Sequence, residues 1–224
     1  MAKRILDIIM ALIGLMIAAP AIILIAIVVK STSEGPIFYR GVRAGRFGKP
    51  FRIYKFRTMV INAEQCGGMS TAKDDPRITT IGKFLRSYKL DELPQLFNVL
   101  IGDMSFVGPR PEMVAYTDLY TDEEQLILSV RPGITDYASL EFIRLGDILG
   151  NDDPDRVYEE HIRPLKNALR VKYVREQHLW GDIMIILRTL YRVVRIDDHR
   201  SDYAFGTEAT PHSSSQSSSR SLSQ

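Results

Sequence analysis

The sequence predicts an α+β fold held at a membrane by its N-terminal segment, and three observations carry this. Residues Ile5 to Val29 read ILDIIMALIGLMIAAPAIILIAIVV, an apolar run broken only by Asp7 near its start. Short β-rich pieces, IFYR and PFRIYKFRTMV, follow between Pro36 and Val60, separated by Gly41, Gly45, Gly48 and Pro50. Helical segments then recur from Ile78 to Ile196 around turn-rich strings. The chain has 224 residues, of which 45% are hydrophobic, ample for a packed core. With 29 basic against 27 acidic residues, the net charge of +2 does not describe a nucleic-acid binder. A lone cysteine, Cys66, excludes intramolecular disulfides and multi-cysteine zinc sites and fits a reducing compartment.

As a helix, the N-terminal run is long enough to reach across a hydrocarbon core of about 30 Å. A secretory signal fits poorly, because Pro20 sits within the would-be cleavage site and the apolar run continues to Val29. Two features bear on its path. Pro20 removes a backbone donor inside the run and kinks a helix there. Basic residues flank both ends: Lys3 and Arg4 before it, then eight from Lys30 to Arg57 (Lys30, Arg40, Arg43, Arg46, Lys49, Arg52, Lys55, Arg57) opposed only by Glu34. Positive-inside logic places both flanks in the cytoplasm, which suits a helix that enters, bends at Pro20 and returns. On the residues alone, simple spanning is slightly favoured over re-entry, since most proline-containing membrane helices span.

After the membrane run, residues 36–60 predict a hairpin or small sheet with a basic edge suited to anionic headgroups or phosphates. A polar loop is expected from Glu64 to Asp75, then helix from Ile78 to Asn98 interrupted at Gly82 and Pro94. GDMSFVGPRP, from Gly102 to Pro111, must be an ordered loop or short strand. Thr121 and Glu124 offer a capping box for a further helix that ends at RPGIT, Arg131 to Thr135. Residues Pro154 to Gln177 read as a helix broken at Pro164. Leu179 to Ile196 places Leu179, Ile183, Ile186, Leu187, Leu190 and Val194 on one face, with Arg188, Arg192 and Arg195 opposite, a helix for a bilayer interface or for ordinary core packing. The tail beyond Asp202 is Ser-rich and expected to be disordered. These readings divide the chain into a membrane helix over 1–30, a cytosolic folded domain with interfacial helices over 31–198, and a tail over 199–224.

No G-x-x-x-x-G-K-[ST] loop or G-x-G-x-x-G turn is present, so any nucleotide is held by other means. Asp153 and Asp155 form a D-x-D, which is read better as a solvated turn than as a metal site. RSYKLDELPQL is more informative, with Arg86, Lys89, Asp91 and Glu92 gathered at one helix start. Adjacent carboxylates on helical backbone point in different directions, so one can attack an electrophile while its neighbour holds a cation. A plain helix first turn gives the same string, with Asp and Glu opposing the dipole. Lys55, Arg57, Arg86, Arg110 and Arg131 sit beside glycines, prolines or short elements, where several can converge on a diphosphate.

The strings KFRTM, DPRIT, LDELPQLFNVLIGDMSFVGPRPE and RPGIT, in this order after an apolar N-terminus, resemble the bacterial sugar transferases, the monotopic polyprenol-phosphate phosphoglycosyl transferases. The resemblance covers Lys3 to Ile196. It implies transfer of a sugar 1-phosphate from a UDP-sugar to a polyprenol phosphate, usually undecaprenyl phosphate, releasing UMP with Mg²⁺ as cofactor. That reaction starts bacterial glycoconjugate assembly at the cytosolic face of the inner membrane. Under the resemblance Asp91 is the nucleophile, forming an aspartyl-phosphosugar, and Glu92 the magnesium ligand. Lys55, Arg86 and Arg110 match the phosphate positions, with Arg57 and Arg131 as further phosphate candidates. It also implies a re-entrant helix-break-helix at Pro20, replacing the spanning reading. Partners would be the bilayer, both substrates, downstream glycosyltransferases and a second copy of the chain, with no nucleic acid.

Two positions depart from the family pattern. Ala19 stands where a serine often precedes the proline, which removes side-chain help to the bend, and Asp136 to Leu140 replace a Gly-containing, AQV-like string beside the presumed pocket. Two other readings predict different products: a non-catalytic organiser of a glycan assembly complex releases no nucleotide, and a glycosyltransferase using Asp153 and Asp155 releases UDP.

Overall fold

The computed structural model describes residues 1–63, 75–143, 145 and 154–194. Most of the expected polar loop with Cys66, Asp153 of the D-x-D, Arg195, Ile196 and the Ser-rich tail lie outside the described residues. The described chain is an α+β mixture in which short strands and helices pack against one long N-terminal helix, α1, Ala2–Thr32.

Helix α1 stays helical through Pro20, so the expected break does not end the helix, and a turn in its path there is a bend within it. A proline removes a single amide donor, and a helix held by packing on both sides tolerates that loss without ending. Both halves of α1 lie against the same folded body. In the first two turns, Arg4 donates to the carbonyls of Val99 and Leu100 at 2.6 and 2.9 Å, while Asp7 accepts from Ser105 Oγ and the Phe106 amide, each at 3.0 Å. Lys3 reaches Asp182, Tyr173 and the Val107 carbonyl. The charges read from sequence as a membrane flank are therefore consumed by the fold. Further along, Ala11 packs with Ile53, Val99 and Met104, and Val29 packs with Phe56 and Leu85. The face turned away carries Ile5, Ile9, Leu12, Ile13, Met16, Ile17, Ile23, Leu24 and Ile27, all exposed. Such a stripe of large apolar side chains has no place in water.

The predicted small sheet is present as two antiparallel pairs. β1 (Phe38–Tyr39) pairs with β4 (Lys55–Phe56), and β2 (Val42–Ala44) pairs with β3 (Pro50–Arg52). Helix α2 (Thr80–Ser87) starts where Thr79 Oγ1 accepts the Gly82 amide at 3.0 Å, a cap typically contributing about 1 kcal/mol. Gly82 does not interrupt this helix. It lies inside it, where a Cβ would come within 2.1 Å of the Thr58 carbonyl oxygen, so glycine serves close packing. The interruption falls at Lys89 instead, whose φ of 57° ends the helical path. A short 3₁₀ turn, Leu90–Glu92, precedes α3 (Gln95–Ile101), with Pro94 before its first residue.

VGPRP and RPGIT meet as a parallel pair, β5 (Ser105–Val107) with β6 (Gly133–Thr135). Their backbones touch beyond it: the Gly108 amide donates to the Thr135 carbonyl and the Gly133 amide to that of Pro109, both at 3.0 Å. A Cβ on Gly133 would lie 2.1 Å from the Gly108 nitrogen. We therefore expect Gly133→Ala to lower stability by about 1–3 kcal/mol, read as a fall in thermal midpoint, because backbone cannot yield as a side chain can.

The remaining elements form a helical layer. Short α4 (Val114–Thr117) and α5 (Tyr137–Glu141) lie either side of a 3₁₀ run, Glu124–Ser129. The predicted capping box opens that run: the Thr121 amide donates to Glu124 Oε2 at 2.9 Å and the Glu124 amide to Thr121 Oγ1 at 3.3 Å. The predicted helix broken at Pro164 resolves into α6 (Pro154–Val157), a π-helical turn over Tyr158–Ile162, and α7 (Arg163–Glu176) with Pro164 in its first turn. Helix α8 (Leu179–Val194) buries Asp182 and Ile185 but leaves Leu179, Trp180, Leu187, Leu190 and Tyr191 exposed. The apolar face predicted for it is thus only partly used in packing.

Candidate active site

The 3₁₀ turn Leu90–Glu92 places two adjacent carboxylates in unlike surroundings. Lys89, in the left-handed region with no glycine to ease it, swings the chain so that Asp91 turns inward and is 7% exposed. Burial pushes the Asp91 carboxyl above its ordinary value, with Lys55 opposing and Glu92 adding to the shift. Glu92 is clamped. Lys55 Nζ donates to its Oε1 at 2.8 Å, while Arg110 grips both oxygens, Nη1 to Oε2 at 3.1 Å and Nη2 to Oε1. Burial alone would raise Glu92, but the charges of Arg110 and Lys55 outweigh it and hold this carboxyl well below the usual range.

Each cation is brought in by a separate element. Strand β4 carries Lys55, and α3 sets its position: fully buried Asn98 accepts from the Tyr54 amide at 2.8 Å and donates to the Arg52 carbonyl at 2.9 Å. Arg110 comes from the clasped VGPRP segment. Arg86, near the end of α2, donates through Nε to Thr58 Oγ1 at 2.9 Å, and its charge acts on Asp91. Lys55, Arg86, Asp91, Glu92 and Arg110 thus gather at one place. Arg57 and Arg131 stand apart from that group. Arg57 Nη2 binds Ser33 at the end of α1, its Oγ at 2.7 Å and its carbonyl at 2.8 Å, while Arg131 Nε donates to the Gly102 carbonyl at 2.8 Å. Both link segments of the fold. Asp155 lies in the first turn of α6.

Thr58, Glu112 and Arg170 also matter here and were not singled out by sequence reasoning. Thr58 is flagged only by lying within KFRTM. Arg170 is flagged only by its place between Leu169 and Val171 on a helix. Asp136, expected beside a pocket, is fully buried against the Arg110 backbone. Glu112 accepts from Arg170 at 2.7 Å and from the Tyr158 hydroxyl at 2.9 Å, with Lys166 at 3.7 Å. Desolvation tends to raise Glu112, yet Arg170 and Lys166 prevail and bring it to about 2. Because its folded value is depressed, its contribution is complete above the ordinary carboxyl value of 4.5 and fades as pH falls toward 2. We expect stability to decline over that window by on the order of 3 kcal/mol from this group, and Glu112→Gln to flatten the decline in an acid unfolding titration.

Among the described residues, no group of three or more His, Cys, Asp or Glu side chains forms a metal cage. Asp91 and Glu92 together offer hard oxygen donors. Such donors are the type Mg²⁺ takes, with one or two carboxylates and its remaining positions filled by water and phosphate oxygens, and at Glu92 a cation would share oxygens that already accept from Lys55 and Arg110.

The sequence matches the bacterial sugar transferase family over residues 1–196. It is similar to a UDP-glucose:undecaprenyl-phosphate glucose-1-phosphate transferase of Klebsiella pneumoniae, 39% identical over 85% of this chain and 39% of that protein. A protein of the same name from Caulobacter vibrioides is 35% identical over 88% of this chain and 71% of its own length. An undecaprenyl-phosphate galactose phosphotransferase of Salmonella typhimurium is 38% identical over 87% of this chain and 41% of that protein. The chain therefore spans about two fifths of the length of the Klebsiella and Salmonella relatives.

Proposed function

The chain belongs to the bacterial sugar transferase family, and from that premise we propose that it moves a sugar 1-phosphate from a UDP-sugar to a polyprenol phosphate such as undecaprenyl phosphate. The observation that carries the reading is the division of labour between neighbours: a buried, protonation-prone Asp91 beside a Glu92 held ionised by Lys55 and Arg110. A carboxylate deprived of solvent, once ionised, is a stronger nucleophile than a hydrated one. Its oxygen attacks the sugar-linked phosphorus, and the bond from that phosphorus to the bridging oxygen breaks. UMP leaves with the electron pair. A polyprenol phosphate oxygen then attacks the same phosphorus, displacing the Asp91 carboxylate and giving the lipid diphosphate sugar. Lys55, Arg86 and Arg110 offset the negative charge that a diphosphate brings to this carboxylate. Glu92, with Asp91 beside it, would hold Mg²⁺, which when bound supplies further neutralisation of the diphosphate.

Contact of both α1 halves with one body supports a re-entrant path over spanning, since a straight crossing would carry one end away from the domain. The exposed apolar faces of α1 and α8 support seating in the headgroup region, and the basic run from Lys30 to Arg57 favours a cytosolic catalytic domain. In this reading residues 1–30 form the membrane segment and 31–198 the catalytic domain. A panel of UDP-sugars with Mg²⁺ and undecaprenyl phosphate tests it: release of UMP is expected from one or more donors. Release of UDP would favour the D-x-D glycosyltransferase, and no nucleotide release the organiser.

A further inference from the structure

Behind Arg110 lies a buried ionic network that touches no atom of the carboxylate pair. Arg170 on α7 is wholly buried. Its Nη2 donates to Glu112 at 2.7 Å, its Nη1 to Asn167 Oδ1 at 3.1 Å, and its Nε lies 3.8 Å from Asp136 Oδ2. The two carboxylates it joins flank Arg110 in space. Asp136 Oδ2 accepts the Arg110 amide at 3.2 Å while its Oδ1 accepts the Ser139 amide at 2.6 Å. Glu112 follows two residues on, and its own carbonyl accepts the Ala44 amide at 2.9 Å. The intervening Pro109 and Pro111 fix φ on either side of Arg110. A buried guanidinium with five donors would be costly without such partners, and its fork geometry suits holding two acids at a set separation.

We propose that Asp136 and Arg170 are positioning residues: they fix the backbone around Arg110 so that its guanidinium meets both oxygens of Glu92. This rests on the phosphosugar transferase reading for its catalytic consequence, but not for its geometry. Displacement of a charge-bearing group by about 1 Å can cost up to ~100-fold in rate. For Asp136→Asn, which keeps the shape and the Ser139 cap, kcat per folded molecule is expected to fall about tenfold while KM for the UDP-sugar stays within about twofold. Arg170→Met should fall further, and Arg170→Lys, which restores charge without the fork, should lie between Arg170→Met and wild type. A merely structural role would lower the folded fraction and leave kcat per folded molecule unchanged.

A second arm needs no turnover. Thermal midpoints are measured for the full-length chain, Asp136→Asn, Glu92→Gln and the double variant. Asp136 and Glu92 share Arg110, so the double variant is expected to lose less than the sum of the singles, by about 2 °C or more. Additive midpoints, or unchanged kcat in Asp136→Asn, overturn the positioning role. Non-additive midpoints in a protein that releases no UMP uphold it and overturn only the activity.

Discussion

Asp91→Asn is expected to reduce UMP release by on the order of 10³-fold or more while leaving the thermal midpoint unchanged or raised. The two halves of this result have one cause. Asp91 is 7% exposed, and burial raises its carboxyl above the ordinary value, so the folded protein binds that proton more tightly than the unfolded chain. With a raised folded value, the carboxyl costs stability as pH rises from the unfolded toward the folded value, and the full cost is present above the latter. Asparagine fills the same space with no charge to desolvate. It also lacks the anionic oxygen that would attack phosphorus. A residue kept for packing would show the reverse, a lower midpoint with turnover retained, and single-turnover UMP release beside a melting curve separates the two.

Glu92→Gln is expected to act with the opposite sign on stability. Its carboxylate is held well below the ordinary range by Arg110 and Lys55, so its contribution is complete above the unfolded value and is lost on acidification. Glutamine keeps the shape but leaves two cations facing a neutral amide. Breaking a fully buried pair costs roughly 3–5 kcal/mol, and because the Lys55 and Arg110 side chains are 21% and 32% exposed, about 2 kcal/mol is the expected loss. Turnover should fall at least ~100-fold, since the same change removes a ligand for Mg²⁺ and loosens Arg110. Melting curves and UMP release for this variant, set beside Asp91→Asn, give neighbouring carboxylates with opposite stability effects and a shared loss of rate. Equal midpoint shifts would contradict the division of labour.

Local chemistry makes much of this arrangement legible in the sequence. The apolar run, the hairpin signals around Gly41 to Pro50 and the Thr121–Glu124 capping box act within a few residues, and each appears where it was expected. Readings that depend on distant partners came out differently. Gly82 looks like a helix breaker in sequence because glycine is permissive, yet its role comes from Thr58, twenty-four residues away along the chain. Lys3 and Arg4 carry the charge pattern of a membrane flank, but the carbonyls that take up Arg4 belong to the end of α3 and are invisible locally. The same holds for the site. Asp91 and Glu92 are adjacent, so their pairing is readable, whereas the clamp by Lys55 and Arg110 exists only once β4 and the VGPRP segment converge. Arg57 and Arg131 share the composition signal of phosphate ligands and also bind Ser33 and Gly102. Nothing in the pattern separates a brace from a ligand.

The central claim, that Asp91 becomes covalently linked to the sugar phosphate, is tested most directly by intact mass spectrometry. The purified chain is mixed with a UDP-sugar it turns over, without polyprenol phosphate, and quenched within the first turnover. A species heavier by one sugar phosphate is expected, absent from Asp91→Asn and discharged when the lipid phosphate is added. Lipid-linked product forming at full rate, with no heavier species at any quench time, would contradict the account.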